Sequence, residues 1–221
     1  MANGVKFLII AKEAVGKTSL AATLEDALVV STDNKAFTGK VPHFRVSEYE
    51  GLKNLEETIV SKVEAYQAKF GKLPRNLVID SVTHLANNIE RYANEKFTGF
   101  NVYSNLGKDI LAFNHFLETQ VIPAGMNVVL TSHCQFNSDT GRYEIASPGQ
   151  FGKNGSWLSV VDNSIFIEIK GNKRIVHTNS MKFPARSNIN MVESIDMKDY
   201  NINDHIGELE KASTESADYE I

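Results

Sequence analysis

The segment from Val5 to Ser19 constrains the fold more than any other part of the chain. Val5-Lys6-Phe7-Leu8-Ile9-Ile10 is a short apolar run of strand formers, and Thr18–Asp26 reads as a helix. Between them lies Ala11-Lys12-Glu13-Ala14-Val15-Gly16-Lys17-Thr18-Ser19. A buried strand that enters a helix through Gly-Lys-Thr fits the spacing G-x-x-x-x-G-K-[ST], with Ala11 at the place of the first glycine. In such a loop the backbone N–H groups and the helix start point at phosphate oxygens. Gly16 permits close backbone approach, Lys17 reaches the β- and γ-phosphates, and the Thr18 hydroxyl is placed to hold Mg²⁺. Residues 11–19 are therefore the candidate nucleotide cradle. The competing explanation is an ordinary strand-turn-helix with an incidental lysine.

The rest of the body continues the alternation. Ala27–Val30, Leu77–Asp80 and Asn127–Ser132 are further apolar strand-like runs. Leu52, Leu55, Ile59, Val63, Tyr66 and Phe70 repeat at helical spacing, as do Val82, Leu85, Ile89 and Tyr92, and again Ile110, Phe113, Leu117 and Val121. Continuous apolar strands separated by helices predict a parallel sheet covered on both faces. A polar stretch with Gly99, Asn101, Ser104, Asn105 and Gly107 follows the second helical pattern, and residues 135–157 read as a long loop with a hairpin near Asp139-Thr140-Gly141. Ser164–Ile169 and Arg174–His177, split by Gly171-Asn172, predict an antiparallel hairpin on the sheet edge.

Three further positions carry candidate chemistry. Asp80 ends a buried strand about 60 residues after the loop, where a carboxylate supports Mg²⁺. Asp80 and Ser81 also precede a helix, so an N-cap is the alternative. His133, in Thr131-Ser132-His133, ends another strand at the carboxyl edge, where ligands of α/β sheets bind. It is a candidate contact for a γ-phosphate or simply a strand-end histidine. Asp33, in Ser31-Thr32-Asp33 at the end of the second strand-like run, is a candidate for orienting an attacking water, or a turn residue. Lys17, Asp33 and His133 form the candidate catalytic set, and Thr18 and Asp80 the metal set. The lone Cys134 reads as a small buried residue.

Charge and composition narrow the classes. The chain has 221 residues and a formal net charge of −4, which argues against simple nucleic-acid binding by bulk charge. Residues 193–221 hold nine acidic and two basic residues, so the body before them is mildly basic. These features predict one domain over 1–190 and a solvated acidic tail over 191–221. Apolar runs are too short to span a bilayer, no secretory leader is recognisable, and one cysteine cannot form an internal disulfide. A cytoplasmic protein without membrane contact is expected.

This order of motifs resembles the RecA-like recombinase core. It is similar in particular to phage-encoded RecA-like ATPases, often labelled AAA, that act in single-strand annealing and recombination. Gly16-Lys17-Thr18-Ser19-Leu20 and Thr131-Ser132-His133 carry that resemblance across residues 5–190. It implies a RecA-like P-loop NTPase core, mainly parallel, with helices on both faces and a C-terminal antiparallel hairpin. It implies ATP and Mg²⁺ as cofactors, and single-stranded DNA and further copies of the chain, in a ring or filament, as partners. A replication or single-strand-binding protein is a further partner in that picture. Asp33 stands where the family carries a catalytic glutamate, and its shorter reach predicts slow turnover. The DNA-binding loops would bring Phe100, Tyr103 and Lys108, then Arg142, Lys153 and Trp157; aromatics with cations suit single strands. Lys182 and Arg186 would reach a neighbouring subunit's nucleotide. Two other readings stand beside this one: a small-molecule or nucleotide kinase, and a nucleotide-binding module that does not hydrolyse.

Overall fold

The computed structural model describes residues 4–33, 35, 37–145, 151 and 156–217. Strand β1 (Lys6–Ala11) is buried at every position after Lys6. It lies between two parallel neighbours, β5 (Asn127–Asn137) and β7 (Asn163–Lys170), with Ala11 opposite both His133 and Ile167. Outside β5 come β4 (Asn76–Asp80), β2 (Ala27–Ser31) and the short β3 (His43–Arg45), all parallel. Outside β7 come the antiparallel β8 (Lys173–His177) and β9 (Ser194–Asp196). The order is β3-β2-β4-β5-β1-β7-β8-β9, and β6 (Arg142–Ile145) pairs with the outer end of β5. The expected mixed α/β architecture, mainly parallel with an antiparallel hairpin, is the one observed.

Side chains of a strand alternate between faces, and two apolar layers result. Leu8, Ile10, Leu77, Ile79, Val128 and Leu130 face α2 (Leu52–Phe70), α3 (Val82–Lys96) and α4 (Phe100–Phe116). Phe7, Ile9, Val29, Val78, Val129 and Ile165 face α1 (Lys17–Ala21) and α5 (Ile202–Ala217). Burial on both faces is why the strands read as unbroken apolar runs. Among the described residues no helix is long and apolar enough to cross a membrane.

Three segments depart from expectation. Helix α1 has five residues and does not continue to Asp26. The Thr23 hydroxyl donates to the Leu20 carbonyl at 2.7 Å and Asp26 takes φ +48°, which turns the chain into β2. Residues 100–108 are the first half of α4, not a loop. Val102, Leu106 and Ile110 form a buried stripe there, while the polar Asn101, Ser104 and Asn105 look outward.

The acidic C-terminal segment also departs. Its described part is a wall of the fold, not a solvated tail. Tyr200, Ile202, Ile206 and Leu209 are buried against the α1 face of the sheet. Each such side chain stabilises by about 1.5–3 kcal/mol on burial. Arg75 pairs with Glu210, whose carboxylate also accepts from Asn127 Nδ2 at 2.6 Å. The acidic residues Asp204, Glu208 and Glu215 line the outer side of the helix, so charge composition masked an amphipathic pattern.

His205 anchors this wall. It is 2% exposed, with its Nδ1 at 2.7 Å from the Tyr200 hydroxyl and its Nε2 at 3.1 Å from Ser187 Oγ. Burial pushes its pKa down to about 4. The unfolded chain, with a value near 6.5, binds a proton that the native state excludes. Stability therefore falls as pH drops from about 6.5 to 4, by on the order of 3 kcal/mol from this residue. Urea unfolding at pH 7 and pH 5 should show that loss, with a smaller pH slope in His205→Gln; equal slopes would remove His205 as its source.

Candidate functional site

The loop Lys12–Gly16 leaves the end of β1 and turns into α1 at the carboxyl edge of the sheet. Ala11 is fully buried within the β1 pairing and has no positive φ, so a glycine is not needed there. The left-handed positions are Ala14, at φ +57°, and Gly16, at φ +112°. Gly16 caps α1 without a side-chain hydrogen bond. The helix is so short that its dipole is small, so loop amides and Lys17 dominate any attraction for phosphate.

Lys17 is 6% exposed and folded over its own loop. Its Nζ donates to the carbonyls of Ala11 at 3.1 Å and Lys12 at 2.9 Å, and lies 3.2 Å from His133 Nδ1. Burial lowers its pKa to about 8, against the opposing pull of Cys134 and Asp80. With Lys17 donating to Nδ1, the His133 proton sits on Nε2. Burial, then Lys17 and His84, push the His133 pKa down to about 4, so it is a neutral donor at pH 7.

Asp80 joins three elements. One carboxylate oxygen accepts from Thr18 Oγ1 at 2.7 Å, the other from Thr131 Oγ1 at 2.6 Å. The N-cap of α3 is Ser81, which accepts from the His84 N–H, so Asp80 is left facing the loop. Thr32 fixes this corner, donating to the Ser81 carbonyl at 2.7 Å and accepting from its N–H at 3.0 Å. A hydroxyl and a carboxylate in contact beside the cradle suit a divalent cation. Among the described residues no three His, Cys, Asp or Glu side chains gather as a metal cage. Such an ion would draw its other ligands from phosphate and water, as Mg²⁺ does.

The cleft around this corner has a volume of about 330 Å³. Glu13, Gly16, Lys17, Thr18, Asp33, Asp80 and His133 line it. It therefore gathers the whole candidate catalytic and metal set. Asp33 sits at its rim and accepts from the Lys35 N–H at 3.2 Å. Sequence reasoning missed Lys35, His84 and Arg174, which also line the cleft. Arg174 had no local signal, because it lies in a hairpin more than 150 residues from the loop.

The outlying candidates separate. Phe100 and Tyr103 are 71% and 54% exposed, and Lys108 is exposed on the same helix. Arg142 is exposed on β6, opposite Asn137. Trp157 is 1% exposed and packs on Phe151 at 5.1 Å, so it cannot stack on a base. Lys153 lies outside the described residues. Arg186 donates to the carbonyls of Val161 and Leu158 of its own chain, which corrects its expected reach to a neighbour. Lys182 is exposed above the ring of Phe183.

The model of a family described as an AAA domain matches residues 3–188, which contain the loop, Asp80 and His133. The chain belongs to the AAA domain family. It is thus a nucleotide-binding domain of the P-loop ATPase type. A solved KaiC-like protein from the archaeon Pyrococcus horikoshii is 16% identical, with 79% of this chain and 78% of that chain covered, at a TM-score of 0.48. Among curated proteins no sequence matches this chain. In this AAA domain the left-handed Ala14 is exposed, and a Cβ there is costly. Ala14→Gly should stabilise the nucleotide-free protein by up to about 1 kcal/mol in urea unfolding. A loss of stability would show that the loop backbone differs from this shape.

Proposed function

We propose that this AAA domain binds ATP with Mg²⁺, hydrolyses it slowly and couples nucleotide binding to single-stranded DNA. The observation that carries the nucleotide half is the Lys17–His133–Asp80–Thr18 cluster at the mouth of one cleft. An incoming triphosphate offers Lys17 anionic oxygens in place of two backbone carbonyls, and charge-assisted bonds are the stronger. Thr18 and Asp80 would hold Mg²⁺, which would supply charge neutralisation at the phosphates. His133, released by Lys17, donates its Nε2–H to the γ-phosphate. Asp33 orients the water from the cleft rim, at the reach of a short carboxylate already held by the Lys35 N–H. That hold favours slow turnover, and it is also the observation that supports a module without hydrolysis.

Lys17→Ala should lower ATP affinity at least tenfold in calorimetric titration with Mg²⁺, since the loop loses its mobile cation. Unchanged affinity would sink the nucleotide reading. Turnover near zero with tight binding would select the non-hydrolysing module.

The DNA half rests on two exposed aromatic sites with neighbouring cations. Phe100 and Tyr103 stand one turn apart on α4, with Lys108 beyond them. Phe136, 52% exposed, and Arg142 stand on the β5–β6 hairpin. Stacking on single-strand bases is worth about 1–3 kcal/mol per base. Phe100→Ala with Tyr103→Ala should weaken oligo(dT) binding by at least fivefold in fluorescence anisotropy, with ATP affinity kept. Equal binding by the double variant would assign these rings elsewhere. Assembly with further copies, in a ring or filament, belongs to the same proposal, with Lys182 the remaining candidate for a neighbour's nucleotide.

A further inference from the structure

The phosphate cleft does not end at the loop. Arg174 of β8 lines it and also lines a second, open groove of about 720 Å³. Ile169, Asn172, Lys173, Asp196 and Met197 form the rest of that groove's lining that matters here. The two spaces meet over Gly16. A Cβ built on Gly16 would lie 3.4 Å from Met197 Cε and 3.7 Å from Arg174 Nε. A thioether and a guanidinium thus border the junction, beside the one loop residue without a side chain.

Arg174 is chemically uncommitted. Its backbone is engaged, with the carbonyl accepting from the Met197 N–H at 2.8 Å, but among the described residues its guanidinium forms no hydrogen bond or ion pair. The nearby Asp196 is occupied by Lys173 at 3.4 Å and by the Lys198 N–H at 3.3 Å. An exposed arginine with an uncommitted planar group, lining one groove with an apolar thioether, suits a flat aromatic ligand better than a second anion.

The sheet order gives the direction. Along the carboxyl edge the elements run β4 with Asp80, β5 with His133, β1 with the loop, β7, then β8 with Arg174. The metal corner and His133 lie on the β4–β5 side, which is the end for the terminal phosphate. The ribose and base must then leave on the opposite side, past Gly16 towards β8.

We propose that the groove between the β7–β8 turn and the segment after β9 receives the ribose and base of the nucleotide, with the base stacked on Arg174 and resting on Met197. This rests on the ATP reading above. Recognition is by stacking on a planar heteroaromatic, with the phosphates held elsewhere, so Arg174 contributes to nucleotide affinity and not to phosphate affinity.

The test compares ATP with inorganic tripolyphosphate, each with Mg²⁺, by calorimetry on the full chain. Arg174→Ala should weaken ATP about tenfold and leave tripolyphosphate within twofold. Arg174→Lys keeps the charge but not the planar fork, and should lose nearly as much ATP affinity. Parallel loss of both ligands in Arg174→Ala, with rescue by lysine, would make Arg174 a phosphate contact and overturn the proposal. Unchanged ATP affinity in Arg174→Ala would overturn it while leaving the ATP reading intact. Wild-type protein that binds neither ligand would overturn the ATP reading, and this inference with it.

Discussion

The Asp80 carboxylate is the contact on which the site's geometry depends. One oxygen holds Thr18 of α1 and the other holds Thr131 of β5, so a single side chain joins three neighbouring elements at the sheet edge. A carboxylate accepting two hydroxyl bonds at a nearly buried position is satisfied without a counter-ion. The Thr32 N–H donates to the Asp80 carbonyl at 2.9 Å while its hydroxyl clasps Ser81, and the Asn88 side chain in turn holds the Thr32 carbonyl at 3.0 Å. The corner is therefore set by polar bonds inside an otherwise apolar sheet, and such networks are rigid only when fully satisfied.

The cleft residues come from four strand ends and one loop, and this explains what the sequence disclosed. Lys17, Thr18 and Gly16 carry a local spacing whose chemistry is readable by itself. Asp80 and His133 are readable because each ends an apolar run, and apolar runs in a parallel sheet end at one common edge. Arg174 has neither mark. Its place beside Gly16 follows from β8 folding back antiparallel against β7, a pairing that brings its start to the loop. The clasps made by the Thr32 and Thr131 hydroxyls were likewise silent, since a hydroxyl clasp depends on which strands are neighbours.

The segments that depart from expectation share one physical cause: a polar average composition hides an apolar helical period. Residues 100–108 are polar on average, yet Val102, Leu106 and Ile110 keep helical spacing. Residues 202–217 are acidic on average, yet Ile202, Ile206 and Leu209 keep it too. A helix needs one apolar stripe to dock, and the rest of its surface is free to carry any charge. Trp157 is the converse case. Its neighbourhood suggested an open loop, but the indole fills the space beside Phe151 under the α2–α4 layer.

The longest strand connects the two halves of the proposed activity. β5 has 11 residues, where its neighbours β1 and β4 have 6 and 5. Its first part is buried in the sheet, and its outer end pairs with β6 in a hairpin that carries Phe136 and Arg142. His133 sits at the boundary, with its N–H held by Thr83 at 2.9 Å and its ring against Lys17. Two residues of one extended strand, Cys134 and Gln135, separate His133 in the cleft from the exposed ring of Phe136. Below His133 the strand pairs with both β1 and β4, whereas above it the partner is β6, so the pairing changes at that residue. In the proposed function, a change in what His133 donates to would reach the hairpin along the β5 backbone, which joins the two directly.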